Sequence, residues 1–127
     1  MSQASDARSR ILLVEDNETI RHAFQILLEE SGYIVAEASS GGEALERARE
    51  TPPDLILLDL GLPDANGLEI VRRIKGDPLT RDSVVVAVTG RALETDRDAC
   101  LEAGCAAYLP KPIDTARLLG TIEEMLG

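Results

Sequence analysis

Aromatic residues are nearly missing from this chain of 127, which has no Trp, two Tyr and one Phe against a hydrophobic share of 44%. Whatever core it buries is therefore aliphatic, and a single domain of this length buries about two-thirds of its unfolded surface. Cysteine is scarce as well. Cys100 and Cys105 sit five apart, matching neither the C-x-x-C of a redox or zinc site nor a disulfide framework, so both read as reduced packing residues. Positive charge is outweighed, with 13 Lys and Arg facing 23 Asp and Glu for a formal charge of -10. Nonspecific nucleic-acid binding rests on basic residues displacing counterions from phosphates, so neither DNA nor an anionic membrane is the expected partner. Long apolar runs are absent too. The longest, 84–88, is far too short to span a bilayer, and the polar opening stretch holds no secretion signal, which predicts a cytoplasmic protein.

What is present is alternation. Short aliphatic runs at 11–14, 33–37, 55–59, 84–89 and 106–109 are separated by segments of helical periodicity, the mark of βαβ units. Leu55-Ile56-Leu57-Leu58 and Val84-Val85-Val86-Ala87-Val88 are apolar on both faces, as strands of a helix-covered parallel sheet must be. Ile20, Ala23, Phe24, Leu27 and Leu28 recur at helical spacing, and Gly32 stands where a helix end wants positive φ. Ala44, Leu45 and Ala48 predict a second helix ended by Pro52-Pro53, and Leu68, Val71 and Ile74 a third closed by Gly76 and Pro78. The fourth, over about 92–103, has only a thin apolar stripe and is expected to be marginally held. Asp114 caps the fifth, which carries Leu118, Ile122, Met125 and Leu126 on one face. The expectation is a flexible tail over 1–9, then one three-layer α/β domain over 10–127 with five parallel strands and five helices.

Open parallel sheets place ligand sites beyond the carboxyl ends of their strands. There this sequence puts Glu15-Asp16, Asp59, Thr89 and, just after the fifth run, Lys111. A single Asp after a strand is usually a turn former or cap. Three converging carboxylates repel one another unless a cation compensates, and hard oxygen donors at a shallow site suit Mg²⁺. Lys111 offers a compact positive charge and Thr89 a hydroxyl, so the set suits phosphoryl transfer, with Asp59 at the end of the central strand as nucleophile. By sequence alone Tyr108 is a half-buried ring with its hydroxyl in water, and Gly90 serves either access to the site or a flexible turn. His22 reads as a surface or boundary residue.

Five segments in order, Leu12-Leu13-Val14-Glu15-Asp16-Asn17, Leu55-Ile56-Leu57-Leu58-Asp59, Leu62-Pro63 with Gly67, Val88-Thr89-Gly90, and Tyr108-Leu109-Pro110-Lys111-Pro112, resemble the receiver domain of two-component response regulators. The resemblance covers nearly the whole chain. It implies a doubly wound, flavodoxin-like sheet of order 2-1-3-4-5 and an Asp59 that accepts a phosphoryl group from a phosphohistidine. It also implies Mg²⁺ held by Glu15, Asp16, Asp59 and the Gly61 carbonyl, a phosphoryl group bound by Thr89 and Lys111, and a cis Lys111-Pro112 bond. Thr89 and Tyr108 would act as the switch, remodelling the face of helix four, strand five and helix five. The implied partners are a sensor histidine kinase or histidine phosphotransfer protein upstream and a protein target downstream, with the chain a monomer or a phosphorylation-linked dimer.

Two family positions that tune dephosphorylation are Gly61 and Arg91 here, and Gly61 cannot orient a water through a side chain, which predicts slow to moderate self-dephosphorylation. A phosphatase of the haloacid dehalogenase type would share the Asp nucleophile, Mg²⁺, Thr and Lys, but Gly61 occupies the place of its general acid. A receiver that binds partners without phosphorylation is a further reading, although such members lose site residues that this chain keeps. A histidine phosphotransfer protein resting on His22 is incompatible with five strand runs. The sequence suits either a complete single-domain regulator, as in cell-cycle phosphorelays, or the receiver of a larger protein such as a hybrid kinase.

Overall fold

The computed structural model describes residues 8–90 and 94–127, and in the second stretch the side chains from Arg97 onward. Most of the tail expected over 1–9, together with Arg91 and the expected start of the fourth helix near Ala92, lies outside these residues. The elements run β1 (Arg10–Val14), α1 (Glu18–Glu30), β2 (Ile34–Ala38), α2 (Gly41–Glu50), β3 (Leu55–Asp59), α3 (Gly67–Gly76), β4 (Val84–Thr89), α4 (Glu94–Ala103), β5 (Ala107–Pro110) and α5 (Thr115–Leu126). All four strand pairings are parallel, in the order β2-β1-β3-β4-β5.

Alternate residues of each inner strand enter different cores. Ile11, Leu13, Leu55, Leu57, Val86 and Val88 pack with Leu28 of α1 and Leu118 and Ile122 of α5. Leu12, Val14, Ile56, Leu58, Val85 and Ala87 face the opposite side and meet α2, α3 and α4 through Ala44, Ala48, Ile70, Val71, Ile74 and Cys100. All five residues of β3 are buried, which explains why its run shows no polar alternation. Two strands start one residue later than the apolar runs suggest. Tyr33 belongs to the end of α1, where its N–H donates to the Leu28 carbonyl at 3.1 Å and Gly32 takes φ 98°, so pairing begins at Ile34 opposite Arg10. The last strand likewise begins at Ala107, in register with Val86.

Four helices begin on side-chain caps. Asn17, Ser40, Asn66 and Asp114 each accept a hydrogen bond from backbone N–H groups in the first turn of α1, α2, α3 and α5. The loop after β3 is pinned from its far side, because the Asp64 carboxylate accepts from the Gly41 and Gly42 N–H groups at 2.9 and 3.3 Å. Gly67 presses α3 against the root of the same loop. A Cβ there would lie 2.6 Å from Leu60 Cα, so only glycine permits the approach.

Candidate functional site

Glu15 follows β1 directly and extends its ladder, its N–H donating to the Ala38 carbonyl at 3.1 Å. Only 5% of it is exposed, so its carboxylate needs partners, and it accepts from the Asn17 N–H at 3.0 Å. The main chain is clamped as well. Arg21 of α1 donates from Nη1 to the Glu15 carbonyl at 2.9 Å and from Nε to Glu37 of β2 at 3.1 Å. Asp16, the next residue, is exposed at the rim.

Asp59 ends the central strand and is 4% exposed. Both of its carboxylate oxygens are held, Oδ1 by the Gly61 N–H at 2.9 Å and Oδ2 by the Lys111 ammonium at 3.0 Å. Lys111 also stands 3.5 Å from Glu15 Oε1, so one cation bridges two buried carboxylates. It is aimed there by main-chain geometry: its N–H donates to the Thr89 carbonyl at 2.7 Å, and the following Lys111-Pro112 bond is cis. Thr89 ends β4, is buried, and lies in register with Pro110. Among the described residues nothing lies within 4 Å of the position a Gly90 Cβ would occupy, so none of them blocks the approach beside Thr89.

Charge and burial pull in opposite directions here. Burial raises the Glu15 carboxyl above its ordinary range, and the Asp59 charge adds to this against the Asn17 N–H and the Lys111 charge. Burial works to lower Lys111, but its hydrogen bond to Asp59 and the charges of Asp59 and Glu15 outweigh it and hold the ammonium above its usual range. Lys111 is therefore positive throughout the neutral range.

Six of the seven residues expected to serve metal, phosphoryl group or switch meet in one cleft of about 600 Å³, Glu15, Asp16, Asp59, Gly61, Thr89 and Lys111, and Gly90 lines it too. Carboxylate oxygens of Glu15, Asp16 and Asp59 lie within 4.8 Å of one another, so the donors suit a small hard cation such as Mg²⁺. Tyr108 is the exception. It pairs in register with Ala87, packs half-buried against the core beneath α2, α3 and α4, and lines a separate groove with Leu101, Arg117 and Met125. His22 is exposed on α1, as a surface residue would be. The Arg21 clamp and the Asp64 tie were not foreseen. No spacing rule announces either, since each joins elements that only the crossovers bring together.

Comparison with known proteins agrees with this geometry. The family model of the response regulator receiver domain matches residues 11–123. Polar-differentiation response regulator DivK of Brucella ovis is 44% identical over 117 residues, covering 92% of this chain and 95% of that protein. A CheY-like response regulator receiver domain protein from Methanospirillum hungatei superimposes with a TM-score of 0.88 at 33% identity, covering 94% of both chains. The receiver domain of a Pseudomonas aeruginosa sensor histidine kinase, solved with a magnesium ion coordinated in its active-site cleft, gives a TM-score of 0.86 at 35% identity, covering 95% of this chain and 99% of that one. Receiver domains bind Mg²⁺ in such acidic pockets, and they are signalling modules rather than conventional enzymes, so the match selects this reading over the haloacid dehalogenase one. With its five-stranded sheet, its acidic cleft and these relatives, the chain belongs to the response regulator receiver domain family.

Proposed function

We propose that Asp59 is the phosphoacceptor of this receiver domain and that a sensor histidine kinase or histidine phosphotransfer protein is its donor. The supporting observation is the buried Asp59 carboxylate, oriented by the Gly61 N–H and the Lys111 ammonium at the floor of an open cleft. A carboxylate oxygen attacks phosphorus, the bond from phosphorus to the donor imidazole nitrogen breaks, and the imidazole leaves with the electron pair. Lys111 then exchanges its carboxylate partner for a phosphoryl oxygen, and the Thr89 hydroxyl donates to another. Glu15, Asp16, Asp59 and the Gly61 carbonyl would hold Mg²⁺, which would supply charge neutralisation for the transferred group.

Output couples the cleft to Tyr108, the one predicted site residue outside it. Movement of Thr89 toward the phosphoryl group makes room for Tyr108, and the face of α4, β5 and α5 changes its fit to a downstream protein. Exposure to a small phosphodonor with Mg²⁺, read by intact mass, tests the assignment: wild type gains one phosphoryl group and Asp59→Asn gains none. Equal addition to both would overturn it. Because Gly61 has no side chain to orient an attacking water, the phosphorylated protein loses its group at a slow to moderate rate, and a half-life of seconds in the purified protein would contradict this.

A further inference from the structure

Two helices of this fold end in the same way. At the end of α1 the Gly32 N–H donates to the Glu29 carbonyl and the Tyr33 N–H to the Leu28 carbonyl. At the end of α4 the Gly104 N–H donates to the Leu101 carbonyl and the Cys105 N–H to the Cys100 carbonyl, both at 3.1 Å. Gly32 and Gly104 have φ of 98° and 120°. These are Schellman caps, whose geometry brings the side chain before the last helical residues against the one two places past the end. In α1 those positions hold Leu28 and Tyr33, an ordinary apolar contact. In α4 they hold both cysteines of the chain.

The two sulfurs stand 2.7 Å apart, well inside the roughly 4 Å at which apolar atoms touch. A bond of about 2.05 Å requires them to close by only a fraction of an ångström. Both thiols are free and buried, with Cys105 6% exposed. Lys75 crosses over Gly104, and its ammonium lowers the Cys105 thiol against the larger effects of Cys100 and burial, which raise it. The hydrogen bond shared with Cys105 holds Cys100 below the usual thiol range, so the pair has a defined first proton to lose.

We infer that Cys100 and Cys105 form a reversible thiol oxidation site, a dithiol that a small hydroperoxide converts to a disulfide tying the last turn of α4 to the approach to β5. One thiolate attacks the terminal peroxide oxygen, the O–O bond breaks, and a sulfenic acid and an alcohol (water, from hydrogen peroxide) result. The second sulfur attacks the sulfenic sulfur, the S–S bond forms, and the departing hydroxide takes up the remaining thiol proton as water. Two thiols and one hydroperoxide thus give one disulfide, one water and one alcohol. A thiol reductant reverses the change. Neither cysteine lines the acidic cleft, so this site stands or falls apart from the phosphoacceptor reading.

The test is treatment of the folded, full-length chain with hydrogen peroxide, followed by denaturation, thiol alkylation and intact mass measurement. The expected product is a monomer lighter by two hydrogens that takes up no alkyl group and regains two alkylatable thiols after dithiothreitol. Amide exchange at Gly104 and Cys105 should slow roughly tenfold in the oxidised form as the cap is closed covalently. Two alkylatable thiols after peroxide, oxygen adducts without loss of hydrogen, or disulfide-linked dimers would each overturn the inference. Cys105→Ser serves as the second variant: it should never show the loss of two hydrogens, and a loss there would also overturn it.

Discussion

Lys111 is the charge that makes the strand-end cluster tolerable in the folded chain. Without it, Glu15 and Asp59 would face each other as two nearly fully buried like charges with no opposite charge between them. Lys111→Met should therefore destabilise the metal-free protein by about 1–3 kcal/mol, the cost of leaving buried charge unsatisfied. Asp59→Asn should do the opposite or nothing, since it removes one of two like charges. Thermal melts in a chelating buffer separate the signs, at about 4 °C per kcal/mol for a domain of this size; a loss of stability in both would refute the electrostatic account. Asp59, Thr89 and Lys111 were legible in the sequence because strand ends in a parallel sheet share one edge, so three short runs located three side chains. Arg21 was not, because its role depends on the angle at which α1 returns across β1 and β2. The contact of Cys100 with Cys105 was hidden for a similar reason: a spacing of five brings side chains together only when Gly104 turns left-handed.

At the scale of elements, α2 leans on its ends. It buries only small residues, Gly41, Ala44 and Ala48, so caps supply much of what fixes it. Glu43 accepts from the Ser39 N–H at 2.7 Å and from Arg47 at 3.1 Å, and the Ser39 N–H, chiefly, holds its carboxyl below the ordinary range. A depressed folded-state value stabilises above the unfolded carboxyl value and is lost as pH falls through the folded one. Glu43→Gln should thus cost about 0.5 kcal/mol at pH 7, a small figure because the side chain is over a third exposed and screened. The cost should vanish in acid once the pH has fallen below the depressed folded-state value, so a difference in melting temperature that persists after the carboxyl is protonated would refute it. The caps Asn17, Ser40, Asn66 and Asp114 could be anticipated from residue type and position, and Asp114 was. The start of β2 could not be judged from hydrophobicity alone, because Tyr33 is as apolar as a strand residue yet its N–H is committed to Leu28.

At the scale of the whole molecule, a formal charge of -10 opposes compaction. Raising monovalent salt to about physiological strength should lift the melting temperature of every variant by a similar small amount. Mg²⁺ at matched ionic strength should lift wild type further and leave Asp59→Asn with the salt effect only; equal lifts in both would show that the cluster holds no ion of its own. The order of the chain adds a further consequence. Glu15 and Asp16 leave the ribosome first and Asp59 next, while Lys111 follows Asp59 by 52 residues. During synthesis the three carboxylates thus precede the ammonium that pairs with Glu15 and Asp59 in the folded chain. Docking of β5 against β4 and neutralisation of the site are consequently one event. The last strand of the chain is then also the one that carries the site's ammonium into place, since Lys111 follows β5 directly.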